Sequence, residues 1–170
     1  MKLLTEISDT FQLMFRRPKR VQFGALCYRR DKKSGVLEIL LVTSRDTGRW
    51  VIPKGWPMSG KLSHEVAAIE AFEEAGVRGT VETEALGSFT YPKVLKDGIK
   101  VPCRVQVYAL AVTELAKNFK ERGERKLEWI SFSEAAKRVH EPELRDLILM
   151  FQARMADALA AGAPPARSMP

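Results

Sequence analysis

Glu70, Glu73 and Glu74 are the residues of this chain best suited to chemistry by type and spacing. On a helix, positions i, i+3 and i+4 converge on one face. Each like-charged pair there costs roughly 0.2–0.5 kcal/mol when nothing neutralises it. A divalent cation between the carboxylates turns that repulsion into a site for a hard, oxygen-preferring metal. The opposite side carries Ala68, Ala71, Phe72 and Ala75, an apolar stripe for packing on a sheet, and Gly76 closes the segment. On spacing alone, a merely solvated acidic face is an equal alternative. The preceding Trp50-Val-Ile-Pro-Lys-Gly-Trp-Pro57 favours the metal. A β-like run ends there in Pro-Lys-Gly, and a loop leads to Ser63, a residue type that caps helix N-termini.

The elements that must position this helix are legible as periodic runs. Residues 21–28 and 37–43 read as strands around a polar turn at 30–35, and the apolar run Leu37-Glu-Ile-Leu-Leu-Val42 suggests a central strand. Strands are expected at 80–91 and 101–113, joined by a basic turn, and at 127–132 before a short helix at 133–139. Pro142 opens a longer helix whose Leu144, Leu147, Ile148, Phe151 and Met155 recur at core-packing spacing. Leu3, Ile7, Phe11, Met14 and Phe15 predict an N-terminal helix that docks on the domain; a membrane-surface role is the lesser reading.

With 170 residues and 45% hydrophobic content, the chain suits one compact domain with short appendages. No apolar run approaches a bilayer span, and no secretory pattern opens the chain. The net charge of +7 favours anionic partners. Cys27 and Cys103 lack metal-ligand spacing, so buried free thiols and a reducing cytoplasm are expected. His64 and His140 read as surface residues, and there is neither a Walker loop nor a dinucleotide-binding glycine fingerprint.

The stretch from Gly55 to Val77 resembles the Nudix box, with Gly55, Glu70, Glu73, Glu74, Gly76 and Val77 in register. Two positions depart: Lys61 stands where the box has its first Glu, and Ile69 where it has an Arg that helps hold the glutamates. Ile69 cannot donate a hydrogen bond, and such losses around a metal site typically cost roughly 10–100-fold in affinity or activity. Beyond the box, Ser44-Arg45, Arg49-Trp50, Arg104 and Glu124-Arg-Lys-Leu-Glu-Trp129 are similar to the diphosphoinositol polyphosphate phosphohydrolase group.

The resemblance implies an α/β Nudix fold, an α/β/α sandwich around a central mixed sheet. With the N-terminal periodicity and the alanine-, glycine- and proline-rich end, the chain divides into an N-terminal helix and basic linker (1–20), a Nudix hydrolase domain (21–155) and a flexible tail (156–170). The resemblance implies Mg²⁺, with Mn²⁺ as a possible substitute, held by Glu70, Glu74 and the Gly55 carbonyl, with Glu73 as general base. Arg20, Arg45, Arg104 and Arg125 fall where the group presents cations to phosphates, and guanidinium grips phosphate bidentately. Lys54, Lys93 and Lys100 are further candidates by charge and loop placement alone. The expected partner is an anionic polyphosphate small molecule. Nucleic acid is disfavoured because no aromatic-and-basic platform is visible, no membrane partner is expected, and a homodimer stays open. The expected activity is hydrolysis of a phosphoanhydride bond. The alternatives are a weakened domain that senses a phosphate ligand, favoured by Lys61 and Ile69, and a pyrophosphohydrolase of RNA 5′ ends.

Overall fold

The computed structural model describes residues 20–162. The expected N-terminal helix and most of its basic linker lie outside the described residues. So does the tail beyond 162.

Strand β1 (Arg20–Arg30) sits at the centre of the sheet, with Ala25, Leu26, Cys27 and Tyr28 buried in sequence. A run buried on both faces belongs between two layers. β1 pairs in parallel with β7 (Lys100–Leu115) and antiparallel with β2 (Leu37–Thr43). Two short strands, β3 (Trp50–Val51) and β4 (Lys54–Gly55), add to β2 and β1. β5 (Val77–Val81) and β6 (Gly87–Val94) pair with β7, and β8 (Leu127–Ser131) with β2. The sheet is therefore mixed, and the single strand expected at 80–91 is two strands. Gly87, with φ of 154°, stands at the start of the second.

Helix α1 (Ser63–Ala75) covers one face over Ala25, Cys27, Leu40, Val42, Tyr108 and Leu110. Helices α2 (Phe132–Arg138) and α3 (Pro142–Ala160) cover the other over Leu26, Ile39, Ile52, Phe89 and Val105. This is an α/β/α sandwich. α3 runs on to Ala160, past the domain edge expected at 155, and Met155 packs on that core. Cys27 and Cys103 are both buried and free. No helix among the described residues is long and apolar enough to cross a membrane.

One expectation about α1 needs correction. Ser63 is its first helical residue and Leu62 holds the cap position, with φ −73° and ψ 158°. Leucine offers no oxygen, so the Glu65 carboxylate turns back and accepts from the Leu62 N–H at 2.8 Å. Gly76 ends the helix in the left-handed region at φ 67°, donating its N–H to the Phe72 carbonyl at 2.8 Å. This end of the helix also anchors a loop. The Ala116 N–H reaches the Gly76 carbonyl and the Glu121 N–H reaches that of Glu73, pinning the loop after β7 against the end of α1.

Candidate active site

The carboxylates of α1 open into a cavity of about 400 Å³. Glu70, Glu73 and Glu74 line it from the helix, Lys54 and Gly55 from β4, and Gln22 from β1. The pinned loop adds Lys120, Glu121 and Arg125. Small residues make this approach possible: Ala67, Ala71 and Ala75 face the sheet, so the helix axis lies close to it. At Gly55 the contact is closest. A Cβ there would stand 2.0 Å from the Glu70 carboxyl carbon, so Glu70 occupies the space a side chain would fill.

Each glutamate has a distinct environment. Glu74 is buried and accepts from Arg125 Nη2 at 3.0 Å and from the Lys54 backbone N–H at 3.4 Å. Burial outweighs the pull of Arg125 and Lys54 and pushes its pKa up to about 7. Glu70 is also raised, first by burial and then by the charge of Glu73. Glu73 is more open and pairs with Lys120 at 3.0 Å. Lys54 shifts the opposite way, because burial disfavours its ammonium form.

Among the described residues, no three His, Cys, Asp or Glu side chains are already gathered as a metal cage. Arg125 pairs with Glu74 and Lys120 with Glu73, each at 3.0 Å. The donor chemistry nevertheless fits a hard divalent cation. Glu70 and Glu74 stand one helical turn apart, the charge of Glu70 adds to the upward shift of Glu74, and the Glu70 carboxylate rests on Gly55.

The cations expected to meet substrate divide into three groups. Arg125 lines the cavity but is committed to Glu74, to Glu121 at 2.8 Å and to the Thr43 carbonyl at 2.9 Å, with its side chain only 8% exposed. Arg45 lines it too and pairs with Glu121 and Glu124, each at 3.1 Å. Lys54 and Lys93 also line it. Arg20, at the exposed start of β1, does not, nor does exposed Lys100 at the start of β7. Arg104 is exposed, outside the cavity lining, and donates to Ser88 Oγ at 3.0 Å. The sequence reading missed Glu121, Lys120 and Gln22. Only the folded loop brings the first two to α1, and nothing in the Gln22 context separates it from other strand residues.

Fold and site together define an α/β/α domain that sets an acidic helix opposite a basic strand-and-loop wall in one cavity. The chain belongs to the Nudix family of hydrolases: the model of the NUDIX domain matches residues 18–151. Diphosphoinositol polyphosphate phosphohydrolase 3-beta of Bos taurus is 33% identical over 123 residues, 70% of each chain. Nudix hydrolase 12, mitochondrial, of Arabidopsis thaliana is 33% identical over 113 residues, 62% of this chain and 56% of that protein's length. The Ap4A hydrolase of C. elegans shares the fold with a TM-score of 0.57 at 22% identity, covering 81% of this chain and 98% of that one. Members of the family generally use divalent metals.

Proposed function

We propose that this protein is a Mg²⁺-dependent pyrophosphohydrolase that cleaves a phosphoanhydride bond in a highly phosphorylated small molecule. Diphosphoinositol polyphosphates and dinucleoside polyphosphates are the substrate types. The observation that carries this reading is the placement of Glu70 against Gly55 and of Glu74 against the Lys54 backbone, inside a cavity that also presents ammonium groups. The kinship with a diphosphoinositol polyphosphate phosphohydrolase supports the substrate class.

Glu70, Glu74 and the Gly55 carbonyl would hold the cation. When bound, it supplies Lewis acidity and neutralises charge on the phosphoryl oxygens. Glu73, more exposed than Glu74 and a wall of the cavity, accepts the proton of the attacking water. Lys120 fixes its orientation through the 3.0 Å pair. Water adds to phosphorus, the bridging P–O bond breaks, and the released phosphate carries the electron pair away. Arg125 restrains Glu74 through a buried contact and so does work that Ile69, in the neighbouring turn of α1, cannot. That contact is why we prefer a working enzyme to a decayed sensor. The free, buried thiols of Cys27 and Cys103 support a reducing compartment such as the cytoplasm.

The test is phosphate release from inositol pyrophosphates, diadenosine polyphosphates and nucleoside triphosphates, with and without Mg²⁺. Metal-dependent turnover that Glu73→Gln lowers by roughly 10²–10⁴-fold is expected. Absence of turnover across the panel would overturn the reading.

A further inference from the structure

Most cations in the cavity already have an acidic partner: Arg125 holds Glu74, Lys120 holds Glu73, Arg45 holds Glu121 and Glu124, and Lys93 reaches Asp46 at 3.4 Å. Lys54 differs. Its ammonium makes no ion pair or side-chain hydrogen bond among the described residues, and lies 5.2 Å from the centre of the Tyr91 ring. Beside it stands Gln22, a polar side chain only 4% exposed. The Tyr91 hydroxyl donates to Gln22 Oε1 at 2.6 Å, which fixes the amide. The Gln22 amide nitrogen has no hydrogen-bond partner among the described residues, yet the residue lines the cavity. A small cleft lined by Lys54, Tyr91, Lys93 and Arg49 continues from the main cavity on this side.

Both donors face the cavity with no acceptor from the described residues, so they are open to one that enters it. The acceptor chemistry that suits an ammonium, an amide N–H pair and a second lysine is a phosphate oxygen. We propose that Lys54 and Gln22, with Lys93 at the rim, form a subsite for a phosphate group that the substrate carries in addition to the diphosphate being cleaved. The inference rests on the hydrolase reading for what the neighbouring carboxylates do, and it deepens that reading by giving the site a preference for substrates with extra phosphates. The extra group comes either from a ring phosphomonoester, as in an inositol polyphosphate, or from a longer linear phosphate chain. Both present the same oxygens to Lys54.

Binding separates this subsite from catalysis. Inositol hexakisphosphate (ring) and inorganic tripolyphosphate (chain) are titrated calorimetrically into the metal-free protein in EDTA at fixed ionic strength. The protein is wild type, Lys54→Met, Lys54→Arg, Gln22→Met or Lys137→Met, each first checked by thermal melting. Lys137, exposed on α2, controls for loss of one positive charge. Wild type binds at least one probe, Lys54→Met and Gln22→Met weaken it about tenfold or more, Lys54→Arg recovers most of the loss, and Lys137→Met changes little. Loss confined to the hexakisphosphate identifies the ring source, and loss confined to tripolyphosphate the chain source.

Absence of wild-type binding to either probe, or equal effects of Lys54→Met and Lys137→Met, overturns the subsite. Should Lys54→Met melt early, Gln22→Met decides alone. Turnover is a separate readout. Lys54-dependent binding without turnover would defeat the hydrolase and leave the subsite standing. Turnover with Lys54-independent binding would do the reverse.

Discussion

Helices α1 and α3 both lie on the central sheet, one on each face, and they pack by opposite means. α3 buries Leu144, Leu147, Ile148 and Phe151, with the Phe151 ring in edge contact with Tyr28 at 5.0 Å and stacked against Phe132. α1 buries Val66, Ala67, Ala71 and Ala75 together with a carboxylate, Glu74. Bulk on one face supplies cohesion. Small residues on the other bring a charged helix down onto the strand ends, where Glu70 meets Gly55 and Glu74 meets Lys54. Stability and chemistry are thus divided between the two layers of one sandwich.

That division is open to direct attack, and the largest effect is expected on the cohesive face. Phe151→Ala should cost about 3–5 kcal/mol, read as a lower midpoint in denaturant. Activity per folded molecule should hold, and a proportionate loss of kcat would blur the distinction. The opposite error on the other face is Ala71→Leu, which overfills a fully buried site under α1. It should cost roughly 1–3 kcal/mol while reducing turnover by more than that stability loss explains, because the carboxylates ride on the displaced helix.

Gly55→Ala is a finer probe of the same approach. Its methyl group meets Glu70 rather than the core. Apparent Mg²⁺ affinity should fall roughly 10–100-fold with only a minor shift in melting temperature. Unchanged affinity would mean that the close approach has no part in metal binding.

A pH dependence probes the same carboxylate without changing the fold. The folded pKa of Glu74 is raised to about 7 from an ordinary value of 4.5, chiefly by burial. A raised pKa means that the folded state binds the proton more tightly. Its contribution to stability is full below about 4.5 and is lost as pH rises through about 7. Metal-free protein should therefore lose at most roughly 2–3 kcal/mol from Glu74 across that interval. Glu74→Gln should flatten the curve. A metal-free stability that rises from pH 5 to 7 in wild type but not in Glu74→Gln would contradict this.

Much of this arrangement was written in local pattern. The spacing of Glu70, Glu73 and Glu74, the closing Gly76 and the stripe of α3 are periodic features that the structure has where the periodicity places them. The buried stripe of α1 instead runs through Val66, Ala67, Ala71 and Ala75 with Glu74 among them, not through Ala68 and Phe72. The box-like register from Gly55 to Val77 also gave the fold family, which the family match bears out. Local pattern failed where the decision was made across the fold. Leu62, not Ser63, sits at the helix cap because Glu65 can reach back to it. The run from 80 to 91 breaks into β5 and β6 through the turn leading to Gly87, although its composition reads as one strand. Arg125 looks like any loop arginine in sequence. Its contact with Glu74, 51 residues away, depends on the loop after β7 being pinned to the end of α1. Lys54 carries no mark in the sequence of being without an acidic partner, because pairing is a property of the assembled cavity.

The central claim is that the polar face of α1 is a divalent-metal site built by close helix packing. Calorimetric titration of Mn²⁺, with Mg²⁺ in competition, into wild type, Glu70→Gln, Glu74→Gln and Glu65→Gln tests it most directly. Glu65→Gln removes a carboxylate from the same helix outside the cavity lining. The account predicts saturable binding that Mg²⁺ competes away, weakened at least about tenfold by Glu70→Gln and Glu74→Gln and little by Glu65→Gln. No saturable binding in wild type, or equal loss in all three variants, would contradict it.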